Sequence, residues 1–176
     1  MPRLPHILAP LALACIATPS FAQDTPDNPL IDYNGFAELT LGLAETREAH
    51  RLSWEDFYEG AAADGAILLD TRSVAAFNAG HLEGAVNLPF SDFTDAKLAA
   101  VLGEDTNRPI YIYCNNNFAD DVEPVPVKRV ALALNIPTFI NLHGYGYTNI
   151  WELADVMTLG DPQVPWVSGK MALLRD

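Results

Sequence analysis

The chain has 176 residues, with 10 basic and 23 acidic side chains for a formal net charge of −13, and 49% of its residues are hydrophobic. This composition fits a folded domain with a substantial core, and the charge argues against binding to nucleic acid or anionic membranes. The same charge opposes the approach of an anionic substrate.

The first residues have the organisation of a secretory signal peptide. Arg3 precedes the apolar stretch ILAPLALACIA, and the small-x-small ending SFA predicts cleavage after Ala22. The apolar stretch is short and is interrupted by Pro10, which argues against a stable membrane span. Two alternatives are a buried helix and a lipoprotein processed at Cys15, although LALAC departs from the usual lipobox order. We therefore predict a periplasmic or secreted protein without membrane association after cleavage of residues 1–22.

An N-terminal extension over residues 23–50 follows. Its first part, QDTPDNPL, is predicted to be a disordered lead-in. Phe36, Leu39, Leu43 and Ala44 then share one face at helical spacing, so a helix is predicted that packs outside the main sheet.

The next helix is predicted from its start signal. Ser53 with Asp56 three residues later resembles a capping box, with Asp in place of Glu. The helix is expected from about Trp54 to Ala62 and ends near Gly65.

Short apolar runs then alternate with helical patterns. The helical patterns are SVAAFNAG, TDAKLAAVLG and VKRVALALN. This alternation predicts an α/β fold in which a parallel sheet is covered by helices on both faces. The predicted strands are 66–70, 109–114, 138–142 and, more weakly, 85–88.

Three loops are predicted to meet at one edge of this sheet. Ligands of open parallel sheets bind beyond the carboxyl ends of the strands, where DTRS, CNNNF and HGYGYT leave the sheet. Cys114 is thereby placed in a crevice beside two other segments. We assign residues 51–158 to this domain, and residues 159–176 to a C-terminal tail that forms a small hairpin or strap.

Cys114 stands alone once the predicted signal peptide, with Cys15, is removed. An exported protein with one cysteine has no internal disulfide, so the thiol is reactive or pairs between molecules. The alternative is an inert cysteine buried as a small hydrophobe.

Residues 67–90, ILLDTRSVAAFNAGHLEGAVNLPF, resemble the first half of the rhodanese-like domain family. They contain its Asp-x-Arg motif at 70–72 and its Gly-His-aliphatic-x-Gly-Ala motif at 80–85. PIYIYC is similar to the strand that ends in the family's catalytic cysteine. NIPTFINLHGYGYTNIWEL is similar to the last strand, glycine turn and aromatic helix, so the resemblance covers about residues 52–157.

The resemblance implies a rhodanese-like fold and sulfur transfer without a cofactor. In the family, a cysteine thiolate takes a sulfane sulfur from a donor such as thiosulfate, forms a persulfide, and passes the sulfur to a thiol or another nucleophile. Cys114 is thereby implied as the catalytic residue, with a small sulfur-containing donor and a thiol acceptor as partners. Family members usually present backbone N–H donors from a tight loop at a helix N-terminus.

The segment after Cys114 departs from this pattern. Twelve residues, NNNFADDVEPVP, precede the predicted helix, in which Pro126 suits the first position. The three asparagines are expected to supply donors in place of a tight, often basic loop. The predicted substrate-binding residues are Asn115, Asn116, Asn117, Phe118, Arg129 and His143.

Acidic residues in this loop have two consequences. Asp120, Asp121 or Glu123 would raise the pKa of Cys114 from within about 6 Å. Aspartate at position 120, where related phosphatases have arginine, argues against phosphatase or arsenate chemistry. The acidic group lacks an EF-hand pattern, so no metal site is predicted.

Two interpretations concern residues elsewhere in the predicted crevice. Asp70 and Arg72 are interpreted as a structural ion pair that braces the loops, rather than as catalytic groups. His143, just past a predicted strand end, supports the thiolate or an anion if it is protonated, although bonding within its own loop is the simpler interpretation.

The sequence leaves two functions open. The preferred one is a rhodanese-type sulfurtransferase with Cys114 as nucleophile and persulfide carrier. The other is a non-catalytic rhodanese-like binding module that recognises a protein partner or a cation through the 115–123 loop.

Overall fold

The computed structural model describes residues 28–168. The predicted signal peptide and the last part of the predicted tail lie outside the described residues. The chain forms two compact units, Met1–Asp32 and Tyr33–Asp176, and the second holds all the described helices and strands. Within residues 28–168, none of the helices is long and apolar enough to cross a membrane.

Six α-helices and seven β-strands make up the second unit, as far as it is described. The helices are α1 (Tyr33–Gly42), α2 (Ala44–Ala49), α3 (Trp54–Ala61), α4 (Val74–Ala79), α5 (Asp95–Leu102) and α6 (Asn135–Gly144). The strands are β1 (Arg51–Leu52), β2 (Ile67–Asp70), β3 (Gly80–Leu82), β4 (Val86–Asn87), β5 (Ile110–Tyr113), β6 (Ile150–Leu153) and β7 (Trp166–Ser168). Short 3-10 turns occupy Phe90–Asp92, Asn115–Asn117 and Val130–Leu132.

Five strands form one parallel sheet in the order β1-β6-β5-β2-β4. Strand β5 is central and is flanked by β2 and β6. Strands β3 and β7 form a separate antiparallel ribbon. The predicted α/β fold with a parallel sheet and a helical N-terminal extension is confirmed.

The central strand contributes side chains to two hydrophobic cores. Ile110 and Ile112 of β5 pack with residues of α5 and α6, whereas Tyr111 and Tyr113 pack with α3 and the segment after β5. Burial on both faces explains why the sequence of this strand is continuously apolar. Each fully buried large apolar side chain of this kind stabilises the fold by about 1.5–3 kcal/mol.

Three helices begin at capping side chains, of which Ser53 was predicted. Ser53 Oγ accepts a hydrogen bond from Asp56 N at 3.3 Å, and α3 starts at the next residue. Ser73 and Thr94 accept equivalent bonds at the starts of α4 and α5. Such caps satisfy N–H groups that have no partner within the helix, so the sequence signals correspond to physical constraints.

The last predicted helix and strand are wrong. Residues 138–142, predicted as a strand, belong to α6. VKRVALALN forms a 3-10 turn and reaches α6 only with its last residue, Asn135, and Pro126 does not begin a helix. The last strand of the sheet is β6, within the segment predicted as an aromatic helix. A short apolar run does not distinguish a strand from a buried helix, and Pro137 is tolerated because it lies in the first turn of α6.

The described part of the C-terminal tail completes the fold through β7. Trp166 pairs with Leu82, and Ser168 pairs with Gly80. A Cβ atom at position 80 would lie only 2.5 Å from Trp166 Nε1, so the close approach of the tail requires glycine there. The described part of the tail therefore contributes a strand to the ribbon and does not form a hairpin of its own.

A buried ion pair closes the carboxyl end of β2. Arg72 Nε lies 3.0 Å from both carboxylate oxygens of Asp70, and Arg72 Nη2 lies 2.5 Å from Oδ2. At most 3% of either residue is exposed. Tyr113 donates its hydroxyl to Asp70 Oδ2 at 2.7 Å, and burial, followed by the charge of Asp70, raises the pKa of Tyr113 well above its ordinary value.

Arg72 connects this pair to three other parts of the chain. Its guanidinium donates to Pro124 O at 3.1 Å and to Gly80 O at 2.7 Å. It also lies 5.5 Å from the centre of the Trp166 ring, within the range of a cation–π contact. One side chain thus holds the end of β2, the ribbon and the segment that follows Cys114.

We predict that Arg72→Met destabilises the protein by about 3–5 kcal/mol, measured by urea denaturation, because it leaves the buried carboxylate of Asp70 without its cation. Lys97→Met is the matched control, since Lys97 pairs with Asp92 at 2.9 Å on an exposed surface. The control is expected to unfold at the same urea concentration as the wild type. Equal stability of all three proteins would show that Arg72 does not anchor the fold.

Candidate active site

Cys114 directly follows the central strand, at the carboxyl edge of the sheet. The loops after β2 and β5 lie at this edge, as predicted, but HGYGYT precedes β6 and therefore leads into the opposite edge. The third segment at the site is the one after β6. Met157 donates its backbone N–H to Asn117 O at 2.7 Å, and Ala119 donates to Met157 O at 2.9 Å.

The Cys114 sulfur is enclosed by backbone donors. None of the residue is exposed, and Asn116 N lies 3.4 Å from Sγ. Burial raises the pKa of Cys114, while hydrogen bonds from the backbone N–H groups of Asn116, Asn135 and Leu134 lower it and the charge of Glu152 raises it further. The sulfur thus lies at the N-terminus of α6, where N–H groups favour an anion, in a setting that also disfavours charge by burial.

Asn117 holds the cysteine in place with every hydrogen-bonding atom of its amide. Its Oδ1 accepts from Cys114 N at 2.9 Å and from Asn135 Nδ2 at 3.0 Å. Its Nδ2 donates to Leu153 O at 2.9 Å and to Asp155 O at 3.0 Å. This buried side chain therefore joins the ends of β5 and β6 to the first residue of α6.

The other two asparagines fasten the loop. Asn115 Nδ2 donates to Pro126 O at 2.8 Å. Asn116 Nδ2 donates to Lys128 O at 2.8 Å, and its Oδ1 accepts from Lys128 N at 3.0 Å. The amides of Asn116 and Asn117, predicted to face a substrate, are instead used within the protein, and the donors at the sulfur come from the backbone.

The loop acids also bind the backbone. Asp120 Oδ2 accepts from Leu159 N at 3.0 Å, and Asp121 Oδ1 accepts from Val127 N at 2.8 Å. The carboxylate whose charge raises the pKa of Cys114 is that of Glu152. The chain therefore does place a negative charge near the thiol, but from β6 rather than from the loop.

A cavity of about 420 Å³ lies beside the cysteine. Asn115, which follows Cys114, and Leu134, whose N–H acts on the sulfur, both line it. Arg129 is exposed and is not among the lining residues. The lining residues are Arg72, Ser73, Ala76, Asn115, Glu123, Pro124, Pro126, Lys128, Leu132 and Leu134.

Two predicted substrate-binding residues lie away from this cavity. Phe118 is buried in the core, with its ring centre 5.0 Å from that of Trp166. His143 belongs to the last turn of α6, eight residues beyond Asn135 and therefore about 12 Å further along the helix. Burial and, after it, the neighbouring His50 lower the pKa of His143, which disfavours the protonated form that a role at the thiolate requires.

Sequence reasoning missed Glu152, a buried acid on β6. Only 3% of it is exposed, and its Oε1 accepts hydrogen bonds from Arg47 Nη2 at 2.5 Å and from Asn135 Nδ2 at 3.3 Å. The available signal was an acidic residue inside the apolar run IWEL. That signal was lost because the run was assigned to a helix.

We predict that native Cys114 is alkylated by iodoacetamide with a pH midpoint above that of the same cysteine in urea. Burial raises the pKa of Cys114, so a smaller fraction is thiolate at any given pH. By linkage, the protonated thiol stabilises the fold fully below the ordinary thiol pKa, and this contribution is lost as the pH rises above it. Mass spectrometry of the Cys114 peptide separates it from Cys15. A native midpoint below that in urea would contradict the assignment.

We also predict that Asn117→Ala destabilises the protein by about 2–4 kcal/mol, because four hydrogen bonds of a buried amide are lost. Asn116→Ala is the control from the same turn. Its lost bonds are to an exposed residue, so it is expected to cost about 1 kcal/mol or less. Urea denaturation measures both variants, and equal losses would contradict the bracing role of Asn117.

Comparison with known proteins identifies the family of the chain. Residues 53–154, more than half of the chain, match the rhodanese-like domain. No match was found among curated proteins. Similar solved structures include a rhodanese-like domain from Anabaena (20% identity, 68% of this chain, 79% of that chain, TM-score 0.45) and a rhodanese with anions from E. coli (25%, 59%, 99%, 0.38). Another is a protein from Bacillus halodurans (13%, 68%, 77%, 0.46). The chain belongs to the rhodanese-like domain family.

Proposed function

We propose that this protein is a rhodanese-type sulfurtransferase in which Cys114 carries the sulfur as a persulfide. The observation that supports the proposal is the arrangement of three backbone N–H groups, from Asn116, Leu134 and Asn135, around a sulfur at the end of the central strand. Such donors stabilise an anionic sulfur without a basic side chain. They replace the basic loop whose absence the sequence revealed.

The first half of the reaction loads the cysteine. The Cys114 thiolate attacks the outer sulfur of a donor such as thiosulfate, a new S–S bond forms, and sulfite leaves with the electron pair of the broken S–S bond. The N–H groups at the start of α6 hold the sulfur in position and stabilise charge on it. Only the thiolate is nucleophilic, so burial makes the rate of this step rise with pH.

The second half of the reaction transfers the sulfur from Cys114 to the acceptor. A thiolate or another nucleophile attacks the outer sulfur of the persulfide, the S–S bond breaks, and the electron pair returns to Cys114. The cavity beside Asn115 and Leu134 is the route by which both substrates approach. Because Cys114 is fully buried, we infer that part of the segment over residues 119–132 moves during the reaction.

The charge of the cavity differs from the charge of the chain. Exposed charges further away than a Debye length, about 8 Å at physiological ionic strength, are largely screened. At the cavity itself, the lining includes one basic residue, Lys128, and one acidic residue, Glu123, and the charge of Arg72 is already balanced by Asp70. The net charge of −13 therefore does not by itself exclude an anionic sulfur donor. With the charged side chains balanced, the backbone N–H groups around Cys114 supply positive potential at the sulfur.

The partners that follow from this chemistry are a small sulfur-containing donor and a thiol acceptor. We propose a periplasmic or secreted location, which is supported by the leader-like residues 1–22. The strongly negative net charge supports the absence of nucleic acid among the partners.

We predict that the protein forms thiocyanate from thiosulfate and cyanide at a rate that rises as the pH increases towards the pKa of Cys114. Cys114→Ser is expected to abolish the activity, because serine does not form a persulfide. Incubation with thiosulfate alone should add one sulfur atom to the Cys114 peptide, which mass spectrometry detects. Absence of both the activity and the added sulfur, with several sulfane donors, would reject the proposal.

One observation favours the second candidate, a non-catalytic binding module. Cys114 is completely buried and its loop is fastened by the side chains of Asn115, Asn116 and Asn117. A module of this kind would recognise a protein partner through the same loop. Residues 28–168 contain no group of three or more His, Cys, Asp or Glu placed to hold a metal ion. Among these residues, the alternative in which the loop binds a cation therefore has no set of ligands. A native Cys114 that resists alkylation at every pH at which the protein stays folded would favour the module.

A further inference from the structure

A chain of hydrogen bonds leads from the N-terminal extension to the cysteine. Arg47, on α2, pairs with Glu152 at 2.5 Å, and Glu152 Oε1 accepts from Asn135 Nδ2 at 3.3 Å. Asn135 Nδ2 also donates to Asn117 Oδ1 at 3.0 Å, and the same oxygen accepts from Cys114 N at 2.9 Å. Every member after Arg47 is buried, so the chain runs through the interior from α2 to the site.

Arg47 is a feature of this chain beyond the matched domain. The rhodanese-like match begins at residue 53, whereas α2 spans Ala44–Ala49. The side chain of Arg47 is 26% exposed, and that of its partner Glu152 is 4% exposed. A carboxylate this deeply buried requires a cation or a full set of donors, and Arg47 is the cation that reaches it.

The layer between α2, α6 and β6 already contains several unsatisfied polar atoms. Among the described residues, six buried side-chain atoms lack a hydrogen-bond partner, and five of them belong to this layer. They are Arg47 Nε, His50 Nδ1, Asn135 Oδ1, His143 Nε2 and Glu152 Oε2. Oε2 of Glu152 has no partner among the described residues, and Oε1 is held by Arg47 and Asn135, so loss of the ion pair would cost the carboxylate part of its positioning as well as its counter-charge.

We propose that Arg47 is a positioning residue of the Cys114 site, acting through Glu152. It fixes the carboxylate that anchors Asn135 and Asn117 around the cysteine, and it offsets the negative charge beneath the sulfur. The extension is thus a part of the site rather than an appendage. The relevance to catalysis rests on the proposed sulfur-transfer role of Cys114, whereas the reactivity of the thiol is measurable without any sulfur transfer.

The charged groups around Cys114 assign this effect to Glu152 and Arg47. From β6, the charge of Glu152 acts on the thiol and raises its pKa. From the end of β2, Asp70 and Arg72 face the site as a closed pair. His143, on α6, has its pKa lowered by burial and then by His50, and both histidine rings pack against Phe139. The backbone N–H groups of Asn116, Leu134 and Asn135 act in the opposite direction to Glu152.

The test is the pH profile of Cys114 alkylation by iodoacetamide in the full chain, resolved by mass spectrometry of the Cys114 peptide. At about pH 8, Glu152→Gln is expected to react roughly three- to tenfold faster than the wild type, because a negative charge near the thiol is gone. Arg47→Met is expected to react slower by a similar factor, because the charge of Glu152 then acts on the thiol without its counter-charge. The double variant is expected to react faster than Arg47→Met, since it lacks the carboxylate through which Arg47 acts.

The pH midpoint of each profile decides the test, because it reports the pKa of the Cys114 thiol. The plateau rate also depends on how easily the reagent reaches the thiol. Arg51→Met is the matched control, since Arg51 pairs with Glu48 at the surface, and it should keep the wild-type midpoint. A wild-type midpoint in Arg47→Met, or a double variant as slow as Arg47→Met, would overturn the proposal. If Arg47→Met does not fold by circular dichroism, Glu152→Gln and the double variant are compared instead. A double variant whose midpoint lies clearly above that of Glu152→Gln would then overturn the proposal, because Arg47 would be acting without Glu152.

Discussion

The Asp70–Arg72 ion pair is the interaction on which the arrangement of the site depends. A buried pair of this kind contributes little to stability compared with a hydrophobic substitute, but removal of one partner is strongly destabilising. Here the arginine directs its remaining donors to the carbonyl groups of Gly80 and Pro124. The pair therefore specifies position: it holds the ribbon and the loop after the cysteine at the same edge of the sheet.

The reactivity of Cys114 is determined by effects that shift the pKa of its thiol in opposite directions. Burial and the charge of Glu152 favour the protonated thiol, whereas three backbone N–H groups favour the thiolate. The first pair of effects prevails in the closed structure, which keeps the thiol protonated and protected from modification. Any movement that admits water to the sulfur weakens the effect of burial, which is the strongest of these influences, while the N–H groups at the start of α6 remain part of the helix. Opening of the loop would then both expose and activate the cysteine.

The sequence revealed those parts of the structure that local signals determine. Ser53 marks a helix start because its side chain satisfies a nearby N–H group, and the run ending in Cys114 has the apolarity of a strand buried on both faces. Residues 138–142 were misassigned because their apolar side chains suit either element, and packing in the assembled fold decides between them. Because of this misassignment, His143 was predicted to lie at a strand end beside the site. Glu152 was overlooked because its run was assigned to a helix.

The contacts that the sequence did not predict join residues far apart in the chain. Arg47 meets Glu152 only because β1, which follows α2, pairs with β6 at the edge of the sheet. No spacing rule relates these two residues, so the sequence does not indicate that they are in contact. The role of Asn117 was missed for the same reason, since three of its partners come from the end of β6 and the start of α6. Local chemistry predicted that asparagines would surround the sulfur, but the assembled fold determined where their amides point.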